Sequence, residues 1–145
     1  MAKIISGIEL SEIIRAEITR DGATFKQTTH VTPGLAVVLV GSDPASEVYV
    51  RMKGKAADRV GFYSRQITLP AETSEDELLG VVAGLNADPR VHGILVQLPL
   101  PKHINAQRVL YSIDPAKDVD GFHPVNAGRL SLGDPDVLAA CTPAG

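Results

Sequence analysis

The chain has 145 residues, with 14 Lys+Arg against 17 Asp+Glu, a formal net charge of −3 and 44% apolar residues. That length suits one domain burying roughly two-thirds of its unfolded chain's surface, and the apolar fraction excludes a disordered polymer. The mild acidity speaks against a general nucleic-acid binder, which needs a basic face, and the longest apolar runs, Gly34 to Gly41 and Gly93 to Leu98, are too short to span a bilayer.

From the amino end, Ser6-Gly7-Ile8-Glu9 has the form of a capping box, in which the hydroxyl and the carboxylate each satisfy an orphaned N–H. Leu10, Ile13, Ile14 and Ile18 follow at helical spacing and predict an amphipathic helix to about Arg20 or somewhat beyond, with Gly22 weakening the pattern past that point. Pro33-Gly34 breaks the pattern. Leu35 to Val40 is then a continuous apolar, β-branched run, as expected for a strand buried on both faces of a parallel sheet. A second helix is predicted from about Ser46 to Gly61, where glycine can take the left-handed conformation that ends a helix. Phe62 to Leu69 reads as a strand closed by Pro70, and Ser74-Glu75-Asp76-Glu77 as a second capping box opening a helix that carries Leu78, Leu79, Val82 and Leu85. Ile94-Leu95-Val96 is the third strand. Leu98-Pro99-Leu100-Pro101 cannot extend it centrally, because proline donates no ladder hydrogen bond. A short helix near Ala106 to Ser112 precedes a loop-rich tail. The β-α-β-α-β order predicts right-handed crossovers and a three-layer α/β domain, a mostly parallel sheet flanked by helices.

Several common chemistries lack their residues. No Gly-x-Gly-x-x-Gly or Gly-x-x-x-x-Gly-Lys-Ser/Thr loop is present to cradle phosphates. His30, His92, His103 and His123 show no metal-ligand spacing, so no metal is expected. The single cysteine, Cys141, has no partner for an internal disulfide, and no apolar stretch follows a positive segment at Met1 to Ser6; both fit a cytoplasmic protein.

Three segments carry candidate chemistry. Asp43 to Ala56 lies where a strand's carboxyl end turns into a helix, which is where open α/β sheets bind ligands. Within it Tyr49 and Lys53, four apart, share a helical face. Spacing alone favours a solvated face, and leaves open a cleft in which Lys53 shuttles protons. Gln97 puts an amide at the end of a buried strand, where it either ties down the next loop or reaches into the same cleft. Asp114 to Pro124 carries Asp114, Asp118 and Asp120 in a Gly/Pro-punctuated loop, a pattern that by itself favours structural turns.

Taken together, the blocks Val40-Gly41-Ser42-Asp43-Pro44-Ala45-Ser46 with Tyr49-Val50-x-x-Lys53-x-Lys55-Ala56, Val96-Gln97-Leu98-Pro99-Leu100-Pro101, Asp114-Pro115-x-Lys117-Asp118-Val119-Asp120-Gly121-Phe122-His123-Pro124-x-Asn126 and Cys141-Thr142-Pro143-x-Gly145 are specific. The chain closely resembles the N-terminal catalytic domain of the bifunctional methylenetetrahydrofolate dehydrogenase/methenyltetrahydrofolate cyclohydrolase (FolD) family. The resemblance implies that residues 1–145 form a tetrahydrofolate-binding catalytic domain in one-carbon metabolism, linked to purine biosynthesis. It implies a parent enzyme that oxidises 5,10-methylenetetrahydrofolate with NADP and hydrolyses the methenyl product to 10-formyltetrahydrofolate. By the same resemblance Lys53 is the proton-transfer residue, Gln97 tunes it, Tyr49 lines the folate site and Asp120 binds the pterin. A carboxylate suits that last task because a 2-amino-4-oxopterin presents adjacent N–H donors.

Two departures stand out. Ala140 occupies the place of a proline usual before Cys-Thr-Pro, and the family's NADP-binding second domain has no counterpart here, so no cofactor is expected on this chain. The resemblance implies a homodimer for the family and leaves a monomer open for this chain. A folate-binding domain without turnover is the alternative to an active cyclohydrolase.

Overall fold

The structure, a computed structural model, describes residues 6–140. The Met1 to Ile5 segment and the Cys141 to Gly145 block therefore lie outside the described residues. The elements are α1 (Gly7–Thr29), β1 (Gly34–Val40), α2 (Pro44–Arg59), β2 (Tyr63–Leu69), α3 (Glu75–Ala87), β3 (Gly93–Val96), α4 (Ala106–Tyr111) and α5 (Pro124–Ser131).

The sheet has three strands in the order β2-β1-β3, all parallel. The central strand β1 pairs with β2 from Gly34–Tyr63 to Val40–Leu69, and with β3 from Leu35–Gly93 to Val38–Val96. Its alternate side chains feed two cores. Ala36, Val38 and Val40 pack with Leu78, Val82 and Leu85 of α3 and Val109 of α4. Val37 and Leu39 pack on the other face with Val50 of α2 and Leu95. A strand serving two cores must be apolar throughout, which is why Leu35 to Val40 does not alternate. The expected three-layer α/β architecture is present.

Local chemistry sets the helix ends. The Asp43 carboxylate accepts the Ser46 N–H at 2.8 Å and Pro44 occupies the first turn, so α2 begins two residues before Ser46. At its far end Gly61 (φ +79°) donates to the Asp58 carbonyl at 3.1 Å and Phe62 to that of Ala57 at 3.0 Å. This is a Schellman closure, and the positive φ explains the glycine. Gly54 has a different reason. A Cβ there would stand 1.6 Å from Gln66 Nε2, so a larger residue would push the Gln66 amide off the Val50 carbonyl to which it donates at 3.4 Å. The α3 capping box is complete, with the Glu77 N–H donating to Ser74 Oγ at 3.3 Å and the Ser74 N–H to Glu77 Oε2 at 2.8 Å.

Three features differ from the sequence expectations. Helix α1 runs on to Thr29, because Gly22 is a point of contact and not a break: a Cβ there would meet the Phe62 ring at 3.1 Å. Its apolar stripe is real, yet no α1 residue is buried, and Ile8, Leu10, Ile13, Ile14, Ile18 and Phe25 are exposed. The tail holds α5, with Pro124 at its start and His123 Nδ1 accepting the Val125 N–H at 3.2 Å.

The loop before α5 is firmly held. The Lys117 ammonium donates to the carbonyls of Leu85, Asn86 and Asp88 at 3.3, 2.7 and 3.1 Å, closing the C-terminal end of α3. The Ile94 N–H donates to the Lys117 carbonyl at 2.7 Å, and Asp118 forms a parallel bridge with Ile94, so the loop lies along the edge of β3. Replacing Lys117 by Met keeps the stem and removes the donors. Chemical denaturation of Lys117→Met should show a loss of about 1.5–3 kcal/mol, the range for hydrogen bonds to a charged group.

Candidate functional site

The chain passes from β1 to β2 through α2 on one face of the sheet and from β2 to β3 through α3 on the other. The carboxyl ends of β1 and β3 therefore flank a crevice, the usual ligand position in an open α/β sheet. Three elements send polar side chains there. Helix α2 supplies Lys53, Gln97 follows β3 directly, and Asp120 comes from the loop along β3's edge.

Lys53 Nζ donates to Gln97 Oε1 at 3.2 Å. The other end of that amide, Nε2, donates to the Leu98 carbonyl at 2.8 Å, which fixes Oε1 as the end facing the lysine. The Gln97 main chain is fixed too, because its N–H donates to the Val38 carbonyl at 2.8 Å, one step beyond β3. Asp120 is half-buried. Burial pushes its carboxyl above the usual carboxylate range; the Lys53 ammonium opposes that push, and the Asp118 charge adds to it. Lys53 and Gln97 thus meet, and Asp120 lies near enough to feel the Lys53 charge without forming an ion pair with it among the described residues.

Tyr49 stands one turn before Lys53 on α2. It is 60% exposed and makes no hydrogen bond to the other three among the described residues. The site is open on that side. The hollows of about 540 Å³ beside Leu79 and Arg108, and of about 500 Å³ beside Tyr63 and His92, both lie away from Lys53. Converging functional groups, not hollow size, locate the chemistry.

Sequence reasoning did not single out the cluster that holds Asp120's loop. Asp118 is 2% exposed, and its Oδ2 accepts the His123 N–H at 2.8 Å and Asn126 Nδ2 at 3.0 Å. Asn126 Nδ2 also donates to the Pro115 carbonyl at 2.8 Å, and His123 Nε2 lies 3.3 Å from the Tyr111 carbonyl. The Asp-x-Asp-Gly pattern pointed to local turns. The partners lie five and eight residues on, across an unexpected helix start.

Comparisons with known proteins identify the family. Residues 5–120 match the family model for the tetrahydrofolate dehydrogenase/cyclohydrolase catalytic domain. The chain is 59% identical over 144 residues to the bifunctional protein FolD of Paramagnetospirillum magneticum, covering 99% of this chain and 48% of that protein. It is 59% identical over 145 residues to FolD 2 of Geobacter sulfurreducens, covering 100% of this chain and 50% of that protein. The chain thus spans about half the length of these curated relatives. Among solved structures, the Campylobacter jejuni FolD methylenetetrahydrofolate dehydrogenase/cyclohydrolase superposes with a TM-score of 0.90 at 44% identity, over 94% of this chain and 48% of that one. The Trypanosoma brucei enzyme, solved with NADP cofactor and an inhibitor, gives 0.89 at 36% identity, over 94% and 46%.

The residues described here do not suit a dinucleotide. The helix start after β1, where a phosphate would sit in a nucleotide-binding fold, is taken by the Asp43 carboxylate. Hydrogen bonds from Ser46 hold that carboxyl below its usual range, so a negative charge already occupies the position. Calorimetry of this chain with NADP should show no saturable heat, and micromolar binding would contradict this.

Proposed function

The chain belongs to the tetrahydrofolate dehydrogenase/cyclohydrolase family, and we propose that it carries the folate-binding and proton-transferring part of a methenyltetrahydrofolate cyclohydrolase. The observation that carries this reading is the 3.2 Å contact between Lys53 Nζ and Gln97 Oε1 with Asp120 beside it. One cleft then offers a proton carrier, a fixed amide acceptor to aim it, and an anion for a ring rich in N–H donors. The Trypanosoma brucei relative was solved with NADP, and we assign the dinucleotide site of the oxidation step to the half that this chain does not span.

The proposed hydrolysis proceeds in balanced steps. Lys53 first releases its ammonium proton to solvent; water then attacks the methenyl carbon, a C–O bond forms, and the Lys53 amine takes the water's proton. Gln97 Oε1 accepts a Lys53 N–H, so the amine lone pair is turned away from the amide and toward the cleft. The C–N5 bond then breaks, the Lys53 ammonium returns its proton to N5, and loss of the second water proton leaves the formyl group on N10. Asp120 holds the pterin by accepting its adjacent N–H groups, and Tyr49 offers an apolar ring face beside water for the aminobenzoate.

The exposure of Tyr49 favours a second reading, a domain that binds folate without turning it over because one side of the cleft stays open to solvent. Single-turnover hydrolysis of 5,10-methenyltetrahydrofolate by this chain separates the two.

Two outcomes are expected for variants. Lys53→Met should slow hydrolysis roughly a hundredfold or more, in keeping with loss of a general acid–base, while folate affinity changes little. Asp120→Ala should weaken folate binding by about 1.5–3 kcal/mol, the worth of a charge-assisted pair. Near-normal turnover by Lys53→Met would return Lys53 to a solvated helical face.

The pH dependence follows from Asp120's raised carboxyl. The pterin contact needs the carboxylate, so affinity is full above the raised value and is lost as the pH falls through it. Folate titrations across pH should therefore show binding declining from above the range of an ordinary aspartate.

A further inference from the structure

We propose that Asp118 is the positioning residue for Asp120: its buried carboxylate ties the loop to the start of α5 and to the edge of β3, and so fixes where the Asp120 carboxylate stands against Lys53 and Gln97. This rests on the reading of Asp120 as the pterin acceptor.

The architecture alone does not ask for a charge at Asp118. Both groups that donate to Oδ2, the His123 N–H at 2.8 Å and the Asn126 amide at 3.0 Å, are neutral donors that an asparagine oxygen would satisfy equally. Asp118 is 2% exposed and has no ion pair among the described residues. The charge acts instead on Asp120, two residues along, where it adds to the cost of a second carboxylate.

The charged groups acting on Asp120 are Lys53 from α2 and Asp118 on its own loop, with neutral Gln97 after β3 bonded to Lys53; the His123 ring is engaged by the Tyr111 carbonyl and the Val125 N–H. Before ligand arrives, one ammonium faces two carboxylates. A ligand that brings N–H donors to Asp120 relieves that imbalance, while the Asp118 hydrogen bonds keep the loop in place to receive it. Lys117, tied to the end of α3, and Asn126, on α5, hold the two sides of the same loop.

The test uses two variants of this chain. Asp118→Asn keeps the acceptor and removes the charge; Asp118→Ala removes both. Side-chain carbon NMR of labelled aspartates follows the Asp120 titration without any ligand, and calorimetry with tetrahydrofolate under anaerobic conditions reads binding. The Asp120 midpoint should fall in Asp118→Asn, a shift that a purely structural residue would not cause. Tetrahydrofolate affinity should drop roughly tenfold in Asp118→Ala, whose two buried donors lose their partner, and recover in Asp118→Asn. An unmoved Asp120 midpoint in Asp118→Asn, or wild-type affinity in Asp118→Ala, overturns the proposal. Should Asp118→Ala not fold, the Asp118→Asn titration decides. Absence of tetrahydrofolate binding by the wild type would overturn the folate reading alone, because the titration needs no ligand.

Discussion

The double burial of β1, paired on both edges and covered on both faces, is the constraint from which the site's geometry follows. Val37 and Leu39 hold α2 through Val50, which lies less than one turn before Lys53. Val38 offers its carbonyl to the Gln97 N–H and pairs with Val96. Both partners of the Lys53–Gln97 contact are thus measured from one strand, and neighbouring residues of that strand place them. A shift of β1's register would move Gln97 relative to Lys53 and exchange the residues that feed the two cores. Close packing of aliphatic side chains sets the distance between two polar groups that never enter the core.

Much of this was legible in the sequence, for identifiable reasons. The uninterrupted run Leu35 to Val40 declared a strand with two buried faces, and Ser74 with Glu77 declared a helix start, because both rest on near-neighbour chemistry. The pairing of Lys53 with Gln97 was legible through the rule that strand carboxyl ends share a crevice and through the family resemblance, not through local spacing, since the two lie 44 residues apart. The Asp118 cluster was less accessible. A carboxylate in a Gly/Pro loop looks the same whether its partners are its own turn or a distant helix start, and histidine is an uncommon cap. Gly22 was ambiguous for a similar reason: glycine marks a helix end or a close contact, and only the Phe62 ring decides between them.

Asp120 illustrates how a binding group departs from what is best for the fold. Its carboxyl is raised by burial, so the folded chain holds that proton more tightly than the unfolded chain does. By linkage its contribution to stability is most favourable below the unfolded value, where both states are protonated, and it worsens as the pH rises through the folded value. At neutral pH the ionised group is a small burden on the domain. Asp88 has the opposite sign. Hydrogen bonds from Arg90 hold its carboxyl far below the ordinary range, so its contribution is present above the unfolded value and disappears only in strong acid. One aspartate thus supports the fold, and the other is held ready for a partner.

Helix α1 has a consequence for how the molecule breathes. It is 23 residues long and buries none of them, meeting the rest of the fold around Gly22 and Phe62. A segment with so little packing opens at a much lower free energy than strands whose amides are sealed between two cores. Amide protons of α1 therefore exchange with solvent through a local opening, whereas those of Ala36 to Leu39 wait for the whole domain to unfold. Opening of α1 breaks none of the bonds that hold Lys53, Gln97 and Asp118, so the crevice keeps its shape while the longest helix comes and goes.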